Sequence, residues 1–292
     1  MKIIIFDLDG VLVDVDSSWK LIHRAFETDN EQNLNRYLCG TISYAEFMRR
    51  DIRLWGKVQI AQIKAILDSV PLIGNVSTLI LELKKNGFKT AIISSGISIL
   101  ADRVKNMLGI DYSYANRLSV DHDGWLTGEC EEVVELLRKD LILNNLLADQ
   151  RVDANQCIVI GDTKFDISLF EQAGLSIAFN PKDEDVKKAA DLVINHKDLC
   201  QIMPWLNDEF MNANFALKFK SSKLATMIMR SISPDNYTLP LGLSLRTWSE
   251  GKIVYVKIFC TKGATTLLAT LDDLFACMQV AEETIDAVSL FR

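Results

Sequence analysis

Three short stretches of this 292-residue chain are almost continuously apolar: residues 2–6 (KIIIF), 89–93 (KTAII) and 156–160 (QCIVI). A strand with no polar alternation has no face to give to water, so each reads as a strand buried on both sides. Residues 176–179 (SIAF) and 192–194 (LVI) are shorter candidates of the same kind. Helical periodicity fills the gaps at 75–86, 97–107, 132–148 and 166–173. Strands alternating with helices demand right-handed crossovers and a parallel sheet, so the expected class is α/β with a Rossmann-like sheet.

Residues 17–70 contain no buried-strand pattern and read as helices, for example at 17–28, 43–54 and 58–69. A helical insert directly after the first strand would form a cap above one end of the sheet. Residues 113–130 (SYANRLSVDHDGWLTGEC) read instead as a β-hairpin turning at Asp123-Gly124. The pattern changes near Pro204. Beyond it come a half-exposed strand at 211–220 and a helix at 221–232, followed by a turn at Pro234-Asp235-Asn236. Strands at 241–248 and 252–260, joined by Ser249-Glu250-Gly251, precede a long helix at 263–288. That is a small α+β unit of order β-α-β-β-α. The expected division is 1–205, with a cap at about 15–72, and 209–292.

The net charge is −7, and all of it belongs to the first 205 residues; residues 206–292 carry nine basic and nine acidic side chains. An acidic first region argues against a surface that binds nucleic acid throughout. The six cysteines are scattered without a C-x-x-C pair and only three histidines could join them, so a zinc site is not expected. Two aspartates interrupt the apolar N-terminal run and no cleavage site follows, so it is not read as a signal peptide. No apolar stretch approaches the length of a membrane span. The expectation is a reduced, cytoplasmic protein.

Chemistry gathers where the strands end, as ligands do in parallel α/β sheets. Asp7 and Asp9 close the first strand in F-D-L-D-G and, two residues apart, face the same side. Paired carboxylates repel unless a cation or a proton intervenes, which suggests a Mg²⁺ site in which one carboxylate doubles as a nucleophile. A bare D-x-D-G is equally the pattern of a solvated turn. The strand at 89–93 ends in Ser94-Ser95-Gly96, offering a hydroxyl and backbone N–H groups at a helix start for a phosphate, or simply a helix cap. The strand at 156–160 ends in Gly161-Asp162, with Asp166 one helical turn on. Lys139 lies in the preceding helix, where a lysine alone usually signifies surface charge.

Taken together, D-L-D-G-V, the serine of I-I-S-S-G, Lys139 and G-D-x-x-x-D resemble, in order, the four motifs of the haloacid dehalogenase (HAD) superfamily. Within it, Y-A-N-R-L-S-V…D-G-W-L-T-G-E and G-D-T-K-F-D-I-S-L-F…A-G-L-S-I-A-F are similar to phosphoserine phosphatases. The resemblance covers about residues 1–200. It implies a phosphatase in which Asp7 attacks phosphorus and forms an aspartyl-phosphate, while Asp9 protonates the leaving alcohol and later activates water. Mg²⁺ would be held by Asp7, the Asp9 backbone carbonyl and Asp162. Ser94 and Lys139, with Ser95 and Gly96, would bind the phosphoryl group, and Asp166 would support Lys139 or the metal shell. The implied substrate is phosphoserine or a similar small phosphorylated metabolite. The cap glutamate and arginine of that family correspond to Asp16 and to Asp51 or Ile52, with Arg50 as the neighbouring arginine that could reach substrate. Phe165 replaces the family's asparagine.

Residues 211–287 resemble the small dimerising subunit of the KEOPS tRNA-modification complex. The similarity lies in F-A-L-K-F, in S-S-K-L-A-T-M-I-M-R-S-I-S-P-D-N and in the helix L-L-A-T-L-D-D-L-F-A-C-M-Q-V-A-E-E-T-I. It implies a homodimer through this region and a possible KEOPS-type protein partner. Leu268, Asp272, Ala276 and Gln279 stand where that family carries basic or amide residues, so direct RNA binding is not expected. The alternative function is membership of a tRNA threonylcarbamoyl-adenosine modification assembly with an auxiliary HAD half.

Overall fold

The computed structural model describes residues 2–206, 210–233 and 239–289. They fall into two compact units, 1–201 and 202–292. The break comes slightly before Pro204, inside a 3₁₀ segment at Leu199–Trp205.

The first unit opens with β1 (Lys2–Phe6), followed by α1 (Ser18–Ala25), α2 (Glu31–Leu38), α3 (Tyr44–Leu54) and α4 (Ile60–Asp68). Next come α5 (Val76–Lys85), β2 (Phe88–Ile97), α6 (Ser98–Leu108), β3 (Tyr112–Val120), β4 (Leu126–Glu131) and α7 (Lys139–Gln150). β5 (Cys157–Gly161), α8 (Ile167–Phe170), β6 (Leu175–Phe179), α9 (Glu184–Ala189) and β7 (Leu192–Ile194) complete it. The strands form one seven-stranded sheet in the order β4-β3-β2-β1-β5-β6-β7. All neighbours run parallel except β4, which returns antiparallel on β3. β1 is central, and Ile3, Ile4, Ile5 and Phe6 are fully buried, as an unalternating strand requires. On one face Ile3 and Ile5 pack with Ala91, Ile93, Val159 and the α7 residues Leu143 and Leu146. Burial of such side chains contributes about 1.5–3 kcal/mol each.

α1 to α4 form the helical insert expected after β1. Ser17 and Ser43 start α1 and α3 by accepting the backbone N–H groups of Lys20 and Glu46, satisfying donors that a helix start leaves open. α2 has no counterpart among the three example helices read from the sequence. Two expected boundaries move. α7 begins at Lys139 rather than at 132, because the Asn116 side chain takes up the preceding backbone: its Oδ1 accepts from Val133 N and Val134 N, and its Nδ2 donates to Val134 O. β2 runs through Ile97, so Ser94, Ser95 and Gly96 are strand residues and not a helix start. Ile97, with no side-chain hydrogen bond, caps α6.

In the second unit β8 (Met211–Lys218), α10 (Ser222–Ile232), β9 (Leu243–Glu250), β10 (Ile253–Cys260) and α11 (Ala264–Ser289) follow in the order β-α-β-β-α. The strands make an antiparallel sheet, β8-β10-β9. β9 extends to Glu250, so the hairpin turns at Gly251-Lys252 and not over Ser249-Glu250-Gly251; Gly251 takes the positive φ of 56° that this turn needs. Ile228, Ile232, Val254, Val256, Ile258 and Leu274 fill the core of the unit. The expected turn at Pro234-Asp235-Asn236 lies outside the described residues.

No helix among the described residues is long and apolar enough to cross a membrane.

Candidate active site

β1, β2 and β5 are adjacent and parallel, so their carboxyl ends place Asp7, Ser94 and Asp162 together. The Asp7 backbone N–H donates to Ile160 O at 2.9 Å, continuing the β1–β5 ladder into the site. Gly10 adopts φ 82° directly after the two aspartates, and a Cβ there would lie 2.0 Å from Asp162 Oδ2. A glycine is therefore the residue that allows this loop and Asp162 to occupy one place. Gly96 does the same on the other side, where a Cβ would fall 2.7 Å from Ser18 Oγ and 3.2 Å from Asp9 Oδ2.

Lys139 does not lie on the surface. It is buried, with Nζ 2.7 Å from Asp166 Oδ1 and 3.2 Å from Asp7 Oδ2. Burial alone would discharge the amine, but Asp166 and Asp7 outweigh that and hold its pKa above the ordinary lysine range. Asp166 is saturated: its Oδ2 accepts from Asp162 N at 3.0 Å, Thr163 N at 3.1 Å and Thr163 Oγ1 at 3.4 Å. It is a brace for the lysine and the β5 loop.

The other carboxylates are under-compensated. Burial raises the Asp7 carboxyl to about 7, with Lys139 pulling it down and Asp166 and Asp9 pushing it up. Asp9 is raised by burial against the hydrogen bonds from Ser18, whose N and Oγ lie 2.7 and 2.8 Å from Asp9 Oδ2. Asp9 Oδ1 has no hydrogen-bond partner. Asp162 is also pushed well up by burial, then by Asp166 and Asp7. Its Oδ2 pairs with Lys182 Nζ at 2.7 Å, while Oδ1 is buried without a hydrogen bond.

Asp7, Asp162 and Asp166 bring carboxylate oxygens within 4.8 Å of one another. Asp166 Oδ2 already takes three donors, whereas Asp7 has one neighbour on each oxygen, Leu8 N and Lys139 Nζ, and Asp162 Oδ1 has no hydrogen bond, so Asp7 and Asp162 are the pair with capacity left for a cation. Buried, under-compensated oxygen donors suit a hard divalent ion such as Mg²⁺.

These groups line a cavity of about 640 Å³ beneath the helical insert. Asp7, Asp9, Asp16, Ser94, Ser95, Gly96, Lys139 and Asp162 all reach it. Asp166 stands behind Lys139. Arg50, expected at the substrate, does not line the cavity; its Nε binds Glu46 Oε1 at 2.7 Å along α3. Asp51, at the family's arginine position, turns into the insert, where Asn30 and Asn33 donate to it. Asp16 pairs weakly with Lys182, at 3.6 Å, and is largely exposed.

Several contributors are invisible to motif reading. Ser18 orients Asp9, and Lys182 neutralises Asp162. Trp19 Nε1, Tyr44 Oη and Asn116 Nδ2 all donate to the Ser95 carbonyl, at 3.0, 3.2 and 2.9 Å, tying insert and hairpin to the phosphate-side strand. The sequence signals for them are a serine following D-V-D-S, a lysine in the N-P-K-D loop after β6 and, for Asn116, its place in the Y-A-N-R-L-S-V segment.

Comparison with known proteins agrees with this arrangement. A family described as haloacid dehalogenase-like hydrolase matches residues 1–174. Phosphoserine phosphatase of Methanocaldococcus jannaschii is 33% identical over 208 residues, covering 70% of this chain and 97% of that protein. The Saccharomyces cerevisiae enzyme is 29% identical, over 72% of this chain and 70% of its own. A solved phospho-aspartyl intermediate analogue of phosphoserine phosphatase superposes with a TM-score of 0.61 at 31% identity, covering 69% of this chain and 97% of that one. By the family match, the identity to these relatives and the buried aspartates at the ends of β1 and β5, the chain belongs to the haloacid dehalogenase-like hydrolases.

Proposed function

We propose that the protein hydrolyses phosphomonoesters with Mg²⁺ through an aspartyl-phosphate on Asp7, acting on phosphoserine or a similar small phosphorylated metabolite. The enzyme is a phosphatase. The observation that carries the mechanism is the Asp7–Lys139–Asp166 chain beside an Asp9 with one free oxygen.

Asp7, Asp162 and the Asp9 backbone carbonyl would hold the cation. When bound, it supplies positive charge that keeps Asp7 ionised and offsets charge on the phosphoryl oxygens. Lys139, Ser94 Oγ and the backbone N–H groups of Ser95 and Gly96 bind the phosphoryl oxygens. An Asp7 oxygen attacks phosphorus in line with the ester bond. The P–O bond to the alcohol breaks, and Asp9 Oδ1 delivers its proton to the leaving oxygen. Burial raises the Asp9 pKa, which favours carrying that proton. Ser18 holds the other oxygen and so fixes the carboxyl plane. Asp9 then takes a proton from water, the water oxygen attacks phosphorus, and the bond to Asp7 breaks, releasing phosphate and restoring both aspartates. Positioning and fixed charge are the larger part of such catalysis.

A Mg²⁺-supplemented panel of phosphometabolites tests this reading. Phosphoserine should be hydrolysed faster than generic phosphomonoesters; equal rates would remove phosphoserine as the preferred substrate. Absence of turnover on every ester would remove the mechanism.

For residues 209–292 we propose a self-association unit resembling the dimerising KEOPS subunit. Its support is the β-α-β-β-α order and the exposure of Leu268, Phe275 and Val280 on α11. Sedimentation of the full chain at a dimer mass is the expected result; a monomer at micromolar concentration would exclude it. The relatives from Methanocaldococcus jannaschii and Saccharomyces cerevisiae are phosphoserine phosphatases and lend nothing to a tRNA-modification role.

A further inference from the structure

Asp51 is completely buried in the helical insert, with donors on both oxygens. Asn30 Nδ2 lies 2.7 Å from Oδ2 and Asn33 Nδ2 lies 2.9 Å from Oδ1. His23 Nε2 stands 3.3 Å from Oδ2. Trp55 Nε1 donates to His23 Nδ1 at 3.2 Å. An indole N–H can only donate, so Nδ1 is an accepting nitrogen, which also lies 2.7 Å from Thr28 Oγ1, while Nε2 makes no hydrogen bond. A carboxylate can only accept, so both asparagine amides must turn their NH₂ groups toward it. The orientation of the Asn30 amide is therefore dictated by chemistry.

Asn30 also lines the catalytic cavity. With Nδ2 committed to Asp51, its Oδ1 accepts no hydrogen bond from the described residues. Its neighbours on that wall are Leu34, Tyr44 and Phe47, and the Tyr44 hydroxyl is already spent on the Ser95 carbonyl. Among the described residues no arginine lines the cavity. The insert thus contributes apolar and aromatic surface, one oriented amide carbonyl and the Lys20 ammonium to the cavity lining.

We infer that Asn30, its amide set by Asp51, presents Oδ1 to the leaving group and selects phosphomonoesters whose alcohol carries a hydrogen-bond donor, an amine or a second hydroxyl, without requiring a carboxylate. This rests on the phosphatase reading above and narrows its substrate class. A donor-bearing alcohol satisfies the carbonyl. An apolar alcohol of the same size leaves it desolvated and unpaired, which is the more costly outcome.

The test compares O-phosphoethanolamine, O-phosphoserine and n-propyl phosphate with saturating Mg²⁺. The expected kcat/KM for O-phosphoethanolamine exceeds that for n-propyl phosphate by at least about tenfold, a hydrogen bond's worth of discrimination. O-phosphoserine should exceed O-phosphoethanolamine by no more than about threefold, since among the described residues no arginine lines the cavity and its lysines offer a point charge without a bidentate fork. Asn30→Leu should lower the ethanolamine-to-propyl ratio by at least about fivefold, and Asp51→Asn, which frees either amide to turn over, should lower it through KM. Should Asp51→Asn fail to fold, Asn30→Leu still decides, because Asp51 keeps its hydrogen bond from Asn33. The same two esters are also titrated calorimetrically into the Asp7→Asn protein and its Asn30→Leu derivative. If no ester is hydrolysed the phosphatase reading falls, while the Kd ratio still judges Asn30. A ratio that Asn30→Leu leaves unchanged, in turnover and in Kd, overturns the inference, as does a preference of tenfold or more for O-phosphoserine over O-phosphoethanolamine.

Discussion

The catalytic cavity has two walls built on different principles. The sheet-end wall carries Asp7, Ser94 and Asp162 at the ends of three adjacent parallel strands, so backbone ladders fix their positions. The insert wall carries Trp19, Asn30, Tyr44 and Phe47 on or beside short helices, so helix register fixes theirs. In a strand, a side chain two residues away returns to the same face. In a helix, a shift of one residue turns a side chain by about 100°. The first wall is suited to invariant chemistry, and the second can change its specificity with a single slip.

The contrast is broken most severely by Asp7→Asn. An amide at the attacking position should reduce turnover on every phosphomonoester by at least about 10³-fold while the protein keeps its far-UV circular dichroism. Uniform loss across substrates is the mark of the sheet-end wall; near-normal turnover would overturn the covalent mechanism. Lys139→Met comes next. It leaves Asp7 and Asp166 buried without their shared cation, and should cost about 3–5 kcal/mol in urea unfolding as well as most of the activity.

Asp51→Ala probes the other wall. Two donors, from Asn30 and Asn33, lose their acceptor in a dry environment, and His23 Nε2 loses its neighbour at 3.3 Å. The expected loss is about 3 kcal/mol of stability, read by urea denaturation. Unlike Asp7→Asn, it should alter the order of preference among substrates and not merely scale all rates.

A smaller effect concerns pH. Without a divalent ion, burial raises the Asp7 carboxyl from the ordinary aspartate range to about 7. Between about pH 4 and 7 the folded chain keeps a proton that the unfolded chain has released, so this group makes stability fall as pH rises through that window. Below the window both states are protonated, and above it the penalty is constant. Mg²⁺ binding should therefore expel more protons at pH 6 than at pH 8.5. Calorimetry in two buffers of different ionisation enthalpy measures it; equal release at both values would contradict the burial argument.

The two walls also differ in how far the sequence discloses them. The apolar runs locate the strands, and a strand end is a fixed address, so Asp7, Asp9, Ser94 and Asp162 are legible as neighbours in the amino-acid sequence itself. Lys139 is legible only through its order among the motifs. It opens a helix only a few residues after Val133 and Val134, whose backbone is taken up by Asn116, a distant hairpin residue. The insert offers no such address. α2 is an eight-residue helix whose N-cap asparagine makes no side-chain cap and instead commits its amide to Asp51 on α3. Nothing local in D-N-E-Q-N-L announces that partner. Lys182 is unreadable for the same reason: its role arises from a loop crossing to Asp162, not from spacing.

Arg50 provides the finest discrimination between the walls. Three arginines cluster around position 51, and sequence spacing makes Arg50 the nearest candidate for a substrate carboxylate. In the structure its Nε is held by Glu46 one turn back, at 2.7 Å, and it is absent from the cavity lining. A partly exposed i,i+4 pair of this kind is weak and screened by salt. Arg50→Ala should therefore change kcat/KM for O-phosphoserine and O-phosphoethanolamine by less than about twofold, with no measurable shift in melting temperature. A selective loss on O-phosphoserine would mean that α3 rotates on substrate binding and delivers the guanidinium after all. The insert wall would then be set by the ligand, and its specificity would no longer follow from the register of the helix.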